Sequence, residues 1–430
     1  MLYTLYEAGR YAITPWRIAA QVSREFWGSA LNPAAGTEFG RGMHAGAEFL
    51  AGLTRRHQRP VWGIEAVEIS GHTVRVAAEP VWTSPWVRMI RFSRNREDLQ
   101  QAGVRNSQPA VVLVAPLSGH HATLLRDTAR TFLKDHEVYV TDWSNARDVP
   151  TGDGGFDLED FVDQLRLMLA VPGGRSHVVA VCQPGPAALA CAALMAEDED
   201  PARPASMTFM ASPIDTRLSP TAPNRLAEGR PFSWFRSSLI HVVPPPWAGA
   251  GRRVYPGFIQ LFSFIAMNPH RHHQAHFTYL EHLMKGDGDG IQKHREFYDE
   301  YLSVLDLTEE FYLQTIRDVF QEHLLPRGLW RHRGRAVRPD AIHDIGLLTV
   351  EGGLDDVCGP GQTQAAQALC TGLSPEWRSE YVQADVGHYG VFNGARFRQD
   401  IYPRIRDHIR RFERSSCSSG TRRPPAESRI

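Results

Sequence analysis

The sequence predicts an α/β protein with a mostly parallel central sheet and helices on both of its faces. Short, continuous apolar runs alternate with helical patterns up to residue 211, and the same alternation resumes after residue 345. Continuous apolar runs are typical of strands buried on both faces, and strict alternation with helices is typical of a parallel sheet. The long segment between these two parts shows helical patterns and Pro- and Gly-rich loops, which indicates an insertion into the sheet.

Residues 1–57 precede the sheet and are predicted to be a helical segment, with amphipathic stretches at Arg17–Trp27 and Met43–Thr54. The next block, Val61–Phe92, is rich in valine, isoleucine and tryptophan and alternates polar with apolar residues. A period of two residues is typical of antiparallel strands with one buried face. We therefore expect this block to open the sheet.

The first part of the α/β core is predicted over residues 58–211. A largely helical cap over residues 212–340 is expected to follow the sixth strand, and the second part of the core is predicted over residues 341–413. Residues 414–430 are polar and rich in serine and proline, a composition that cannot bury a core, and we expect a disordered tail there. The predicted buried strands are Ala110–Ala115, Glu137–Thr141, His177–Val181, Ser206–Met210, Ile345–Val350 and Glu380–Gln383.

The composition excludes several classes of function. The chain has 430 residues and a formal net charge of -1, which gives no electrostatic reason to expect nucleic acid or an anionic bilayer as a partner. The first residues lack the pattern of a secretory signal, and no apolar run is long enough to span a membrane. Five cysteines without a CxxC pair support neither a disulfide framework nor a metal site. We expect a cytoplasmic protein, while the sequence leaves its oligomeric state open.

The most informative stretch is SHVVAVCQPGPAALA, which runs from a buried strand through Cys182 into a helix. An α/β-hydrolase holds its nucleophile on such a strand-to-helix turn, with small residues two positions before and after it. Ala180 is small, but Pro184 stands where glycine is usual, and Gly185 follows one position later. A helix N-terminus favours the thiolate, which is the reactive form of cysteine. Cys182 is the predicted nucleophile, and a cysteine that only packs in the core is the alternative.

In α/β-hydrolases the acid and then the histidine follow the nucleophile along the chain. The strand IGLLTV is followed by EGGLDD, which places Asp355 and Asp356 on a loop after a late strand. Asp355 is the preferred acid, and Asp356 stays open as the alternative. The strand EYVQ is followed by ADVGHYGVFNG, which places His388 in a loop before the last helix. The order along the chain therefore predicts a triad of Cys182, Asp355 and His388.

The loop after the first buried strand, PLSGHH, is predicted to contribute to an oxyanion hole. Such a hole combines a backbone N–H of this loop with the N–H of the residue after the nucleophile, here Gln183. Pro116 has no N–H, so the loop donor must be Leu117 or Ser118.

Several of these motifs occur together in one known family. The segments APLSGHHATLLRDTARTFL, VCQPGP, EGGLDD…GPGQT and GHYGVFNG resemble those of the intracellular poly(3-hydroxybutyrate) depolymerases, and the likeness covers nearly the whole chain apart from the tail. The resemblance implies an α/β-hydrolase that cleaves the ester bonds of amorphous polyester granules in the cytoplasm. It also implies a cysteine nucleophile, with the family's triad at Cys182, Asp355 and His388.

The resemblance implies the polyester granule surface as partner and no bound cofactor, although coenzyme A could replace water as acyl acceptor. A polyester synthase-like acyltransferase and a non-catalytic granule-associated protein are the alternatives. Synthases usually keep glycine two residues after the cysteine, where this chain has Pro184. The cap's aromatic residues are expected to offer an apolar surface to the polyester or to form the cap's own core; they are Trp234, Phe235, Trp247, Phe262, Phe264 and Trp330.

Overall fold

The computed structural model describes residues 2–104, 107–267 and 269–419. The strands of this part are β1 Ala66–Ile69, β2 His72–Thr83, β3 Val87–Arg94, β4 Ala110–Val114, β5 Glu137–Trp143, β6 His177–Val181, β7 Ser206–Met210, β8 His241–Val242, β9 Arg253–Tyr255, β10 Leu307–Thr308, β11 Arg331–His332, β12 Arg335–Ala336, β13 Gly346–Gly352 and β14 Arg378–Gln383.

The α-helices of the same part lie before, between and after these strands. They are α1 Leu2–Gly28, α2 Glu38–Leu53, α3 Arg96–Gln101, α4 Arg126–Phe132, α5 Leu158–Leu169, α6 Gly185–Glu197, α7 Ala222–Gly229, α8 Phe232–Leu239, α9 Gly257–Met267, α10 Pro269–Lys285, α11 Gly288–Tyr301, α12 Glu309–Thr315, α13 Ala365–Leu369, α14 Gly394–Arg396 and α15 Tyr402–Ser419.

One sheet of nine strands forms the centre of the molecule, in the order β1-β2-β3-β5-β4-β6-β7-β13-β14. The pairs from β1 to β5 are antiparallel, and every pair from β5 to β14 is parallel. From β2 onward this is the strand order of the α/β-hydrolase fold, with an antiparallel second strand and the third and fourth strands exchanged. The predicted fold class is confirmed.

The central strands are buried, and most of their residues are apolar. Every residue of β6, β7 and β13 is buried, as expected for strands covered by helices on both faces. His177 in β6 is a polar exception whose ring nitrogens contact the Ser206 hydroxyl at 2.8 Å and the Glu413 carboxylate at 3.1 Å. The helix α6 is buried from Gly185 to Met195, which explains why its sequence is apolar on every side.

The insertion lies between β7 and β13. It therefore follows the seventh strand of the chain, not the sixth as predicted, because β1 adds an edge strand before β2. The insertion also contains strands that the sequence did not predict: β8, β9 and β10 form a three-stranded sheet, and β11 pairs with β12. Strands of two or three residues are too short to show an alternating pattern.

The helices α1 and α2 pack against each other as a hairpin that also contacts the insertion. Thr37 caps α2 by accepting a hydrogen bond from the N–H of Gly40 at 3.0 Å. The hydroxyl of Tyr3 in α1 donates to the buried Asp306 carboxylate at 2.6 Å. Glu48 in α2 accepts from Arg24 and forms an ion pair with Arg295 of α11. The N-terminal hairpin is thus attached to the insertion by buried polar contacts.

The helix α15 runs to Ser419, so residues 414–419 are helical where a disordered tail was predicted. Extending an existing helix adds a hydrogen bond per residue without a new nucleation cost, which offsets the weak helix preference of serine. The remainder of the predicted tail, residues 420–430, lies outside the described residues. No helix within the described ranges is long and apolar enough to cross a membrane.

Candidate active site

The turn between β6 and α6 holds Cys182 in an unusual backbone conformation. Its φ angle is +64°, a left-handed value that side-chain-bearing residues rarely adopt and that is concentrated at functional sites. The N–H of Cys182 donates to the carbonyl of Met210 at 2.8 Å, and its carbonyl accepts from Gly185 at 3.1 Å. The turn is therefore fixed on one side by the neighbouring strand and on the other by the start of α6.

Gly185 is the residue after Cys182 that has no room for a side chain. A Cβ atom at this position would overlap the side chain of Ser212, which follows β7. Pro184 has a φ of -70° and immediately precedes the helix, where its missing N–H removes no intrahelical hydrogen bond. In this turn the position that must be glycine is therefore the third after the cysteine, Gly185, and not the second, Pro184.

Asp355 and His388 are in direct contact. The Nδ1 atom of His388 lies 2.8 Å from Oδ2 of Asp355, and both side chains are buried. The other oxygen of Asp355 accepts from the backbone N–H groups of Val357 and Cys358, each at 2.8 Å. The adjacent Asp356 is exposed. Of the two carboxylates that the sequence left open, the structure brings Asp355 to the histidine.

His388 also interacts with Cys182, and this contact changes its electrostatics. Burial opposes protonation of the imidazole, but the thiol of Cys182 and the carboxylate of Asp355 outweigh burial and hold the pKa of His388 well above 6.5. Because Nδ1 faces Asp355, Nε2 is the ring nitrogen that remains for Cys182, which lines the same cavity. The imidazole is therefore placed to hold a proton between a sulfur atom and a carboxylate.

The predicted oxyanion-hole donors lie next to the same turn. The N–H of Leu117 donates to the side-chain Oε1 of Gln183 at 3.3 Å. Both residues, together with Ser118, line one cavity with Cys182. The structure therefore brings all the predicted donors to one place, and an amide oxygen already accepts from one of them.

The loop that contains Leu117 is held by the insertion. The side-chain amide of Gln260 in α9 donates to the carbonyl of Ser118, and Leu305 donates its N–H to the carbonyl of Gly119 at 2.7 Å. Gly119 has a φ of +103°, and a Cβ there would overlap the Gln260 side chain. The conformation of this loop thus depends on the insertion packed over it.

His120, the next residue in the loop, is fully covered. Its Nε2 atom lies 3.1 Å from the carbonyl of Tyr301, and burial lowers the pKa of His120 to about 4. At neutral pH this ring is uncharged, so it contributes shape rather than charge to the site.

Cys182 and His388 open into a cavity of about 200 Å³ between the sheet and the insertion. Its walls are mostly apolar, and the residues of α12 and of the π-helical turn that follows it, Ile316–Gln321, form a large part of them. Sequence reasoning predicted a helix there but could not tell which side of it would face the site. The residues that it missed are Phe311, Tyr312, Ile316 and Phe320.

The aromatic residues that were predicted to face a polyester are mostly elsewhere. Phe264 lines the cavity, whereas Phe235 and Trp330 are buried in the hydrophobic core, which was the alternative expectation. Phe262 is 73% exposed, and Trp247 packs against the guanidinium groups of two arginines. Trp234 packs edge-on against a neighbouring ring. The positions of these rings could not be predicted, because composition shows that a segment is apolar but not which surface each ring covers.

The loop with Asp355 is anchored by a buried glutamate that sequence reasoning noted only as the end of a strand. The carboxylate of Glu351 accepts backbone hydrogen bonds from Gly361, Thr363 and Gln364 at 2.8, 2.7 and 3.0 Å. Three such donors satisfy the buried charge and fix the GPGQT segment. The sequence did contain an indication of this role, because Glu351 is a charged residue at the end of a mostly apolar strand.

A second thiol, Cys358, lines the same cavity. Its sulfur atom lies 3.8 Å from the hydroxyl of Thr363, and burial raises the pKa of the Cys358 thiol, which keeps it protonated. Across the described residues, no group of three His, Cys, Asp or Glu side chains is arranged to hold a metal ion.

Comparison with known families gives one match in sequence. Residues 211–413 match the family model described as PHB de-polymerase C-terminus. The second part of the chain is therefore similar to the C-terminal part of PHB depolymerases. The matched depolymerase segment contains the insertion, Asp355 and His388, while Cys182 lies before it. No curated protein matches the chain.

Solved structures of similar shape are distant in sequence. A protein described as a lipase, from Acinetobacter baumannii AYE, is 12% identical with a TM-score of 0.43, and the match covers 80% of this chain and 93% of that one. A monoacylglycerol lipase of Paleococcus ferrophilus is 11% identical with a TM-score of 0.41, over 71% and 96% of the two chains. The 2-hydroxy-6-oxo-6-phenylhexa-2,4-dienoate hydrolase of Rhodococcus sp. strain RHA1 is 13% identical with a TM-score of 0.41, over 79% and 100%.

The crowding at the turn after Cys182 predicts that Gly185→Ala destabilises the protein. The new methyl group would overlap Ser212, and overpacking of this kind costs about 1–3 kcal/mol although alanine is the better helix former. The free energy of unfolding from urea denaturation checks this. Gly174→Ala is the matched control, because a Cβ there meets no atom within 4 Å. Equal stability of the two variants would contradict the crowding argument.

Proposed function

We propose that this chain hydrolyses the backbone esters of poly(3-hydroxybutyrate) granules in the cytoplasm of a polyester-storing cell, with Cys182, His388 and Asp355 as its catalytic triad. The observation that carries the proposal is that the buried Asp355 contacts His388, and that His388 and Cys182 line one apolar cavity. A positive φ angle at Cys182 and a raised pKa at His388 support the same roles. These three residues have the arrangement of a nucleophile, its base and the group that orients the base.

In the proposed reaction, His388 takes the proton of Cys182, and the thiolate attacks the carbonyl carbon of a backbone ester. The carbonyl electrons move to the oxygen, and the oxyanion accepts hydrogen bonds from the N–H groups of Gln183 and Leu117. The C–O bond then breaks, His388 protonates the departing chain alcohol, and a 3-hydroxyacyl thioester remains on Cys182.

Water completes the cycle. His388 removes a proton from the water molecule, and the resulting hydroxide attacks the thioester. The C–S bond breaks to release a 3-hydroxy acid or its oligomer, and the departing sulfur of Cys182 takes the proton back from His388. The cavity supports an uncharged substrate, because no Asp, Glu, Lys or Arg side chain is among the described residues that line it. The phosphates of coenzyme A would find no basic partner within this cavity, which favours water as the acceptor.

In the free protein, the side chain of Gln183 takes the position that we propose for the oxyanion, since its Oε1 atom accepts from Leu117. The ester oxygen must therefore displace this side chain. Of the two loop candidates, Leu117 is the donor that we propose, because its N–H is directed at an atom lining the cavity, while Ser118 is held through its carbonyl by Gln260.

The first test is product release from native amorphous granules by the wild-type protein and by Cys182→Ala, each with and without coenzyme A. We expect the wild type to release 3-hydroxybutyrate and its oligomers without coenzyme A, and Cys182→Ala to release none. Mass spectrometry of the soluble products checks this.

Retained release by Cys182→Ala would remove the nucleophile from the proposal. Release that requires coenzyme A and yields 3-hydroxybutyryl-CoA would replace hydrolysis with thiolysis. Incubation of the wild type with 3-hydroxybutyryl-CoA should give no polymer; polymer formation would identify an acyltransferase that works in the synthetic direction.

The contact between Asp355 and His388 predicts that Asp355→Asn lowers kcat by roughly a hundredfold to ten-thousandfold, as loss of the orienting carboxylate does in such triads. Removing this carboxylate should also lower the pKa of His388, because Asp355 is one of the groups that raise it. The proton shared with Cys182 is then lost at lower pH. The pH dependence of Cys182 alkylation checks this shift.

Asp356→Asn is the matched control, since Asp356 is the exposed neighbour of Asp355. It should keep kcat within about twofold of the wild type, as surface substitutions usually do. The reverse result, with Asp356→Asn inactive and Asp355→Asn active, would exchange the two roles.

The contact between Gln183 and Leu117 predicts that Gln183→Ala lowers KM for a soluble ester. A hydrogen bond of about 0.5–1.5 kcal/mol no longer has to be displaced, which corresponds to a decrease in KM of roughly two- to tenfold. The backbone N–H of residue 183 is retained, so kcat should stay nearly constant. Gln183→Glu keeps the acceptor and adds a negative charge beside the oxyanion, so KM should rise. Steady-state kinetics on a 4-nitrophenyl ester measure both, and a higher KM in Gln183→Ala would contradict the assignment.

A further inference from the structure

The outer side of α1 is apolar and uncharged along its whole length. At 100° per residue, the charged residues of α1 fall within about 100° of its circumference. These residues are Glu7, Arg10, Arg17, Arg24 and Glu25. The remaining side carries eight large apolar residues, each at least 46% exposed: Leu2, Leu5, Tyr11, Ile13, Trp16, Ile18, Val22 and Phe26.

The apolar exposure continues around the hairpin. Residues 2–53 contain thirteen of the twenty-six large apolar side chains that are exposed in the described part of the chain. Besides those of α1, they are Leu31, Phe39, Met43, Leu50 and Leu53. About an eighth of the chain thus holds half of these side chains. Large exposed apolar patches are typical of binding sites.

We propose that this surface, which we call the hairpin face and define by the thirteen residues above, docks the protein on the surface of its solid polyester substrate. The proposal rests on the proposed function. Poly(3-hydroxybutyrate) carries no ionisable group along its chain, so a complementary surface must be apolar and free of charge. The apolar side of α1 meets both conditions, because the charged residues of the helix lie on its other side. There Arg24 pairs with Glu48 and with the exposed Glu25, and Glu7 pairs with Arg56.

The inner side of α1, behind the hairpin face, packs against a helix that lines the catalytic cavity. Tyr3 and Tyr6 of α1 pack against Phe258 at the start of α9, with ring centroids 5.4 and 3.9 Å apart from it. The same helix α9 contributes Gln260 and Phe264 to the cavity. Only the helix α9 thus separates α1 from the cavity.

Two other occupants fit less well. Helices that bind anionic bilayers carry several basic side chains along the edge of their apolar side. Of the three arginines at this edge of α1, Arg10 and Arg24 donate to Tyr6 and Glu48, which leaves Arg17 for lipid phosphates. A second copy of the chain would pair through a narrower stripe, since packed helices bury little more than about 100° of their circumference. The exposed apolar side of α1 is more than twice that width.

The test uses full-length Cys182→Ala as background, so that binding is measured without turnover. Leu5→Gln with Trp16→Gln, at residues 57% and 71% exposed, should weaken binding to amorphous poly(3-hydroxybutyrate) granules by about tenfold or more in a pelleting assay. Leu167→Gln with Leu329→Gln, at residues 55% and 52% exposed on other elements, is the matched control and should bind like its parent. With Cys182 present, both double variants should hydrolyse a soluble 4-nitrophenyl ester at the wild-type rate.

Four outcomes would overturn the proposal. In the pelleting assay, these are unchanged granule binding by the hairpin variant and an equal loss of granule binding in the control variant. In light scattering, it is a change from dimer to monomer caused by the hairpin substitutions. The fourth is binding of the parent protein to phosphatidylcholine vesicles as strong as its binding to granules. Failure of the proposed function is distinguishable, because it would appear as a loss of catalysis by the wild type while granule binding and its dependence on the hairpin face persist. Thermal unfolding by circular dichroism shows that each variant is folded.

Discussion

The contact between Asp355 and His388 is the interaction on which the rest of the site depends. It joins two loops that follow different strands, β13 and β14, and it requires each loop to be fixed independently. Glu351 fixes the first loop through three backbone N–H groups. One oxygen of Asp355 is satisfied by its own loop, which leaves the other oxygen for the imidazole. A buried carboxylate is tolerated here because every part of it has a partner.

Much of the fold and of the site could be predicted from the sequence, because the signals were local. Buried strands appear as continuous apolar runs, and the order of Cys182, Asp355 and His388 follows from the order of the strands that precede them. The cavity wall could not be predicted in this way. Which side of α12 faces the site depends on how the insertion packs on the sheet, and this information is not present in the periodicity of one helix.

The position of the required glycine and the short strands of the insertion could not be predicted from neighbouring residues, because both depend on contacts with distant parts of the chain. Gly185 is needed because of its contact with Ser212, a residue that is 27 positions away in the chain. The strands β8, β9 and β10 exist because they pair with one another, since two or three residues have too little intrinsic preference to form a strand alone. The choice between Asp355 and Asp356 likewise required a distance, because the two residues are adjacent and chemically identical.

The loop 116–121 is attached to the insertion by hydrogen bonds. Gln260 and Leu305, both in the insertion, hold the carbonyls on either side of the turn at Gly119. If the insertion moved outward to admit a bulky chain, it would release these carbonyls and the backbone amide that we propose for the oxyanion. Under the proposed function, a single extended segment of the polymer would have to enter the cavity while the insertion stays in place. Cleavage would then begin where the polymer chain is loose enough to leave the solid.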